Sequence, residues 1–260
     1  MGKHIFIATV LGATFVLPAS ADEKPWSMAD AYYGEKAMQE AREALQKNAG
    51  ETPIAFVMGD RLEMQFTDGD SAFVWDAQGW YGTDENKLWI KTEGEYNFNA
   101  DEIEDAEIQA LWSKPVSAFW DLQIGARYDL KPKGRTHLVA GVQGLAPYWF
   151  EIDGAVFLST QGDVTARIEA EYELLLSQRL ILQPRAEINI AAQDIVDLDM
   201  GAGLTDFDLG VRLRYEFKRE LAPYIGVEWQ KRLGETANRV RLRGEDADKI
   251  ALLIGVRAWY

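Results

Sequence analysis

The sequence predicts an all-β fold: a closed, antiparallel, twelve-stranded outer-membrane β-barrel with a short N-terminal periplasmic helix. Three observations predict it: an export signal at the N-terminus, apolar and polar side chains that alternate every two residues, and no later apolar stretch approaching ~18 residues. A barrel strand presents only every second residue to lipid, so its average hydropathy stays low although it crosses a membrane.

The first residues have the pattern of a secretory signal peptide. Lys3 and His4 precede an apolar run, Ile5 to Leu17, and Pro18 to Ala21 ends in the small-x-small pattern of a cleavage site. The apolar run is shorter than the ~20 residues of a membrane-spanning helix. We therefore expect residues 1–21 to be removed and the remainder to reach the cell outer membrane.

Composition excludes two classes of function. The formal net charge is −15, and loss of the signal peptide, which carries Lys3 and no acid, makes it one unit more negative. Nucleic-acid phosphates would be repelled by such a chain. The sequence contains no cysteine, which excludes a disulfide framework and a thiolate metal site.

The chain after the signal peptide divides into two parts. Residues 22–53 are predicted to form an N-terminal periplasmic segment, in which Met28 to Asn48 is one helix and Asn48 to Gly50 supplies its C-terminal stop. Residues 54–260 are predicted to form the transmembrane barrel.

Alternation identifies the strands. The clearest is Asp163 to Leu176, where apolar residues occupy one face and Thr165, Arg167 and three glutamates the other. Twelve strands are predicted, beginning near residues 56, 71, 87, 104, 119, 136, 149, 163, 180, 205, 221 and 248. Strand length, aromatic residues at the ends of apolar faces and the alternating C-terminal strand that ends at Tyr260 favour a membrane barrel over a soluble one.

Several motifs resemble the copper resistance protein B family. The helix motif runs from Ala31 to Leu45, and the barrel motifs are Asp60 to Glu63, Trp75 to Gly82 and Lys87 to Glu95. The resemblance implies an outer-membrane barrel of copper resistance that binds periplasmic copper or passes it outward, with periplasmic copper proteins as partners. Members of that family commonly carry a Met- and His-rich segment ahead of the helix, and Asp22 to Ser27 lacks one.

Few soft ligands remain to hold copper. The candidate metal ligands are Met28, Met38 and His137, although ten residues of helix would separate the two methionines by ~15 Å. The parity of Met58 and Met64 predicts that both face lipid. His137 is predicted to face the lumen, where it is either a copper ligand or a hydrogen-bonded wall residue. No serine motif accompanies it, so we predict no enzyme and no catalytic residue.

Charged residues on the polar strand faces are expected to line the lumen. They form either a network of ion pairs that fills the lumen or a path for cations, and the N-terminal helix is a candidate plug. The set comprises Glu93, Glu95, Glu107, Arg127, Asp129, Glu151, Asp153, Arg167, Glu169, Glu171, Glu173, Arg185, Glu187, Arg212, Arg214, Glu216 and Arg257.

Two functions stay open at this point. The first is a copper-resistance barrel with no chemical step, and the alternative is a generic or structural channel with a charged, largely plugged lumen. We expect a monomer in contact with outer-membrane lipid and lipopolysaccharide. An outer loop is predicted to carry a run of acids that either bridges divalent cations to lipopolysaccharide phosphates or is simply solvated: Asp194, Asp197, Asp199, Asp206 and Asp208.

Overall fold

A computed structural model describes residues 27–50 and 52–260, with only the backbone of residues 49 and 50. The predicted signal peptide, residues 1–21, lies outside the described residues. The chain divides into two compact units, Met1–Ala49 and Gly50–Tyr260. No helix among the described residues is long and apolar enough to span a bilayer.

The described part of the N-terminal unit is helical but interrupted. A 3₁₀ turn, Ser27–Ala29, leads into α1 (Asp30–Tyr33) and α2 (Glu35–Leu45), and a π-helical turn, Gln46–Gly50, follows. The single helix predicted from the sequence is interrupted at Gly34, whose φ of +90° is readily available to glycine. Arg42 donates hydrogen bonds of 2.6 and 2.9 Å to Asp30, which ties α2 to α1 and raises the pKa of Arg42.

The second unit is built of β-strands that begin within two residues of the predicted positions. The strands are β1 (Ile54–Phe66), β2 (Ser71–Gly82), β3 (Lys87–Asn97), β4 (Glu102–Ser117), β5 (Trp120–Lys131), β6 (Arg135–Ala146), β7 (Phe150–Ser159), β8 (Val164–Glu171), β9 (Leu174–Leu175), β10 (Leu180–Ala191), β11 (Gly203–Tyr215), β12 (Leu221–Arg232) and β13 (Asp248–Trp259). β8 and β9 both pair with β10 and form one interrupted strand of the wall.

Pairing of the first and last strands closes the sheet. β1 lies antiparallel to β13, from Met58 opposite Trp259 to Phe66 opposite Leu252. Every other strand pairs with its neighbours in sequence. The predicted closed twelve-stranded antiparallel barrel is therefore confirmed, and no open sheet edge is left to expose unpaired backbone groups to hydrocarbon.

The two ends of the barrel differ. The terminal end, which holds Ile54 and Trp259, has short connections at residues 83–86, 118–119, 147–149, 176–179 and 216–220. The opposite loop end has the longest connections, 192–202 and 233–247. The second of these contains α3 (Gly234–Leu242), and the hydroxyl of its Thr236 accepts a 2.9 Å hydrogen bond from the backbone of Gly201, which joins the two long loops.

The outer surface is apolar and the inner surface is polar. Aliphatic side chains on the outer face of the strands are widely exposed, for example Ile225 at 59% and Leu252 at 61%. Exposed aromatic residues cluster toward the terminal end (Tyr81, Trp112, Tyr148, Trp149, Phe150, Tyr215 and Phe217) and the loop end (Phe98 and Tyr128). This arrangement is the reverse of a soluble barrel and matches a lipid-facing band flanked by aromatic girdles.

Two irregularities change details of the sequence prediction. Asp163 to Leu176 was predicted as one strand, yet pairing is interrupted at Tyr172 and Glu173. Tyr172 donates to the carbonyl of Pro184, and proline has no N–H to return the bond. In β1, a bulge at Asp60 shifts the register against β2, so residues before and after it follow opposite alternations.

A charge introduced on the outer face of a strand tests whether that face contacts lipid. Val227 lies near the middle of β12, is 46% exposed and pairs with Val211 and Leu252. We expect Val227→Arg to lower the free energy of unfolding by about 2–4 kcal/mol in lipid vesicles, because a charge near the bilayer centre is costly. Urea unfolding followed by tryptophan fluorescence measures the change, with Val227→Leu as the apolar control. Equal stability of the two variants would contradict the assigned face.

Candidate functional site

The lumen is the candidate site, and ion pairs fill its middle. Arg167 on β8 reaches across to the opposite wall, where it donates to Glu93 at 2.8 Å and to Glu107 at 3.0 Å. Lys91 on β3 likewise crosses the lumen to Asp153 on β7. Side chains thus connect strands that are far apart around the barrel, and ion pairs occupy much of the interior beside a small buried apolar cluster of Leu111, Val139 and Phe157.

A second group of ion pairs lies at the closure seam, where β13 pairs with β1 and β12. Arg212 on β11 holds Glu63 with two hydrogen bonds of 3.0 and 2.8 Å and Glu228 with a third of 2.7 Å. The hydroxyl of Tyr224 donates to Glu63 at 2.9 Å. Gly255 of β13 lies between them, and a Cβ there would come within 2.7 Å of both Tyr224 and Glu63. Glycine at this position lets the pair meet across the intervening strand.

Arg185 forms the third group. Its guanidinium binds Glu169 and Glu187 and approaches Glu171, with 3.4 Å between Arg185 Nε and Glu171 Oε1. Arg185 is 3% exposed, so its charge needs these carboxylates to offset the loss of water.

The terminal end of the lumen combines charges with aromatic rings. Glu173 accepts hydrogen bonds from Arg214 at 2.6 Å and from Arg257 at 2.8 Å. A chain of rings follows the wall nearby, with centroid distances of 6.0 Å from Trp259 to Phe56 and 6.1 Å from Phe56 to Trp80. This end is therefore lined by large side chains.

The loop end opens into an acidic cavity of about 490 Å³. Thirteen carboxylate residues and eight lysines or arginines line it, so its net charge is negative. Arg243 in the α3 loop is one of these bases, and its hydrogen bond to Glu245 raises its pKa. A smaller cavity of about 40 Å³ lies between Lys91, Asp153 and Phe157 in the middle of the barrel. The loop-end cavity offers the larger space for a cation.

The structure brings together most of the predicted lumen charges. Fourteen of the seventeen take part in ion pairs or hydrogen bonds: Glu93, Glu107, Arg127, Asp129, Asp153, Arg167, Glu169, Glu171, Glu173, Arg185, Glu187, Arg212, Arg214 and Arg257. Glu95 lines the loop-end cavity. Glu151 lies near the terminal end of β7, and Glu216 follows the last residue of β11.

The predicted metal ligands belong to two different units of the chain. Met28, in the turn before α1, is 86% exposed, and Met38 lies on α2 beyond the break at Gly34. His137 lies in the other unit, on the inner face of β6, and lines the loop-end cavity. A metal site shared by these three residues stays a prediction.

Two predicted placements were wrong. Met58 faces the lumen, where its sulfur lies 3.5 Å from Arg257 Nη2, because the bulge at Asp60 reverses the alternation that placed it toward lipid. Asp206 and Asp208 belong to the inner face of β11, within the strand predicted to begin near residue 205, whereas Asp194, Asp197 and Asp199 lie in the loop. Asp199 lines the loop-end cavity together with the two acids of β11. The acidic run is therefore split between loop and lumen.

Sequence reasoning also missed several lumen residues. Arg61 and Glu63 lie in the Asp60 to Glu63 motif, where the bulge at Asp60 interrupts the alternation, and Asp76 lies opposite Arg61 on β2. Glu228 shares the parity of Tyr224 on β12, a signal that would have identified it.

Carboxylates of Glu187, Asp206 and Asp208 approach within 4.8 Å of one another. Asn189 donates to the first two at 2.7 Å each, and Arg185 and Arg232 neutralise the same two acids. These contacts neutralise two of the three acids without an ion.

Removing one partner of the seam pair tests whether the network stabilises the barrel. Arg212→Met leaves Glu63, which is fully buried, without its cation, and we expect a loss of about 3–5 kcal/mol in the free energy of unfolding. Lys231→Met is the control, because its pair with Asp248 is substantially exposed and such pairs contribute at most about 1 kcal/mol. Urea titration in lipid vesicles measures both. Similar losses in the two variants would contradict a stabilising role of the buried network.

Comparisons with known proteins agree on one family. The family model described as Copper resistance protein B precursor matches residues 53–260. Copper resistance protein B of Escherichia coli is 43% identical over 205 residues, which cover 78% of this chain and 69% of that protein. The Copper resistance protein B homolog of Pseudomonas syringae pv. tomato is 39% identical over 207 residues, covering 79% and 70%.

A solved structure supports the fold alone. The NanC porin has a TM-score of 0.50 at 12% identity, covering 79% of this chain and 99% of the porin. The matches over the barrel residues, together with the closed twelve-stranded sheet, show that this chain is an outer-membrane β-barrel and belongs to the copper resistance protein B family.

Proposed function

We infer that this barrel serves copper resistance by binding copper or passing it outward through the outer membrane, without a chemical reaction of its own. Family membership supports the involvement of copper. The observation that carries a cation role is the acidic loop-end cavity, where carboxylates outnumber lysines and arginines by thirteen to eight. An excess of negative charge inside a low-dielectric wall concentrates cations.

The orientation follows from the general plan of outer-membrane barrels. Such barrels have an even number of strands, short periplasmic turns and longer outer loops. The terminal end would then face the periplasm together with residues 22–53, and the loop-end cavity would face the exterior. Periplasmic copper proteins are the proposed donors, and outer-membrane lipid and lipopolysaccharide surround a monomeric barrel.

The donor set of the barrel favours Cu(II) over Cu(I). Soft Cu(I) is best held by converging thioethers or thiolates, whereas Cu(II) accepts imidazole and carboxylate ligands. Met58 lies at the terminal end, Met64 shares the lipid-facing alternation of Leu62 and Phe66, and Met200 lies in a loop at the other end. We retain Met28 and Met38 as proposed copper ligands of the N-terminal unit, and His137 as that of the barrel.

A closed structural barrel is the second candidate, favoured by a different observation. Arg167 and Lys91 bridge opposite walls, and the cavity that both residues line in the middle of the barrel holds only about 40 Å³. A cation could not cross this region without displacement of those side chains. The two candidates predict different effects when the loop-end acids are neutralised.

Copper tolerance of cells tests the proposed function. Deletion of the gene should lower the copper concentration that arrests growth, and the wild-type chain should restore it. Glu95→Gln combined with Asp208→Asn should restore it only in part, because both residues line the cavity and neither forms an ion pair among the described residues. Survival in detergent serves as the control for envelope integrity. Full rescue by the double variant, or a deletion with normal copper tolerance, would favour the structural barrel.

A further inference from the structure

His137 has an imidazole nitrogen whose bonding is incomplete. The residue is 5% exposed, and its Nδ1 makes no hydrogen bond within the described structure. Buried polar atoms nearly always have a partner, so an orphaned nitrogen on the wall of a cavity indicates a group that the protein atoms alone do not supply.

The atom that faces this nitrogen is a carboxylate oxygen. Asp129 Oδ2 lies 3.7 Å from His137 Nδ1, too far for a hydrogen bond. Asp129 is held in place through its other oxygen, Oδ1, which accepts a 2.5 Å bond from Arg127 Nε. Nitrogen and oxygen ligands lie about 2.0–2.2 Å from a divalent transition-metal ion, so a pair sharing one ion lies at most ~4.2 Å apart. The observed gap is within that limit.

The position of the imidazole is fixed by packing. Phe157 meets it edge to face, with centroids 6.4 Å apart and planes at 79°. Phe157 belongs to a buried cluster with Leu111 and Val139, which lies one step deeper in the lumen. The imidazole therefore stands at the inner wall of the loop-end cavity on a rigid apolar support, as a preorganised ligand should.

Neighbouring arginines do not leave the site cationic. Arg127 is paired with Glu107 at 2.8 Å as well as with Asp129, and Arg135 is paired with Asp163. The cavity as a whole carries excess negative charge. A divalent cation therefore enters a region in which the nearby guanidinium charges are already offset.

We propose that His137 Nδ1 and Asp129 Oδ2 form a transit site for Cu(II), with water molecules of the loop-end cavity completing the coordination. One imidazole and one carboxylate suit Cu(II), which binds such ligands more tightly than the other divalent ions of the first transition row. Two protein ligands hold an ion loosely enough to release it, which conduction requires. The choice of copper as the ion rests on the proposed function.

Pulsed electron paramagnetic resonance of Cu(II) added to the processed full-length barrel in detergent tests the site directly. The sequence contains only two histidines, and His4 lies in the predicted signal peptide, so an imidazole signal has one source. We expect echo modulation from the remote imidazole nitrogen in the wild type. His137→Phe, which keeps a ring against Phe157, should abolish it.

Titration with Cu(II) supplies the second readout. Asp129→Asn should weaken binding by about tenfold or more, because it removes the anionic ligand and keeps the shape of the side chain. Asp197→Asn removes one negative charge from the loop outside the cavity and should change the affinity less than about twofold. Heat-modifiable migration on gels confirms that each variant is folded.

Two results would overturn the site: a wild-type spectrum without imidazole modulation, or unchanged affinity in Asp129→Asn. Imidazole modulation that His137→Phe removes, with the affinity loss confined to Asp129→Asn, supports it.

The cell assay separates this inference from the proposed function. Normal copper tolerance of the deletion strain would reject the function while the spectrum still reports on the site. A copper-sensitive strain fully rescued by His137→Phe would retain the function and reject transit through this site.

Discussion

The need to pair every backbone N–H and C=O group within hydrocarbon is the constraint on which this structure depends. A sheet satisfies it only by closing, and β1 closes it here by pairing with β13 from Met58 to Phe66. Closure with twelve strands creates an interior wider than the core of a small barrel. The lipid side must be apolar, so the alternation of each strand directs its polar residues inward. The charged lumen follows from the same constraint as the apolar band outside.

Charges inside a narrow lumen must compensate one another, and the arginines do this by reaching several carboxylates each. Arg167 joins β8 to β3 and β4, and Arg212 joins β11 to β1 and β12. Such contacts cross the barrel and hold the wall in shape, a role that an apolar core performs in soluble proteins. Local glycines such as Gly255 provide the space for them. The same ion pairs therefore link distant strands of the wall and obstruct the lumen.

The loop end escapes this obstruction and retains an excess of acids around a cavity of about 490 Å³. The family of the chain connects this cavity with copper. The potential metal ligands that line the cavity include carboxylate oxygens and one imidazole, that of His137. His137 and Asp129 lie where incoming charge would be drawn, at the boundary between the open cavity and the ion pairs of the middle lumen.

Alternation and strand length by themselves determined the number of strands, their starting points and the lining of the lumen by charged residues, because a pleated strand sends successive side chains to opposite faces. Motif resemblance determined the family. Tertiary structure alone decided which charges meet, since Arg167 and Glu93 are 74 residues apart and come together only in the closed barrel. It also decided the face of Met58, because a bulge breaks the period of two. The gap between His137 and Asp129 depends on the register of β5 and β6, which alternation within a single strand does not specify.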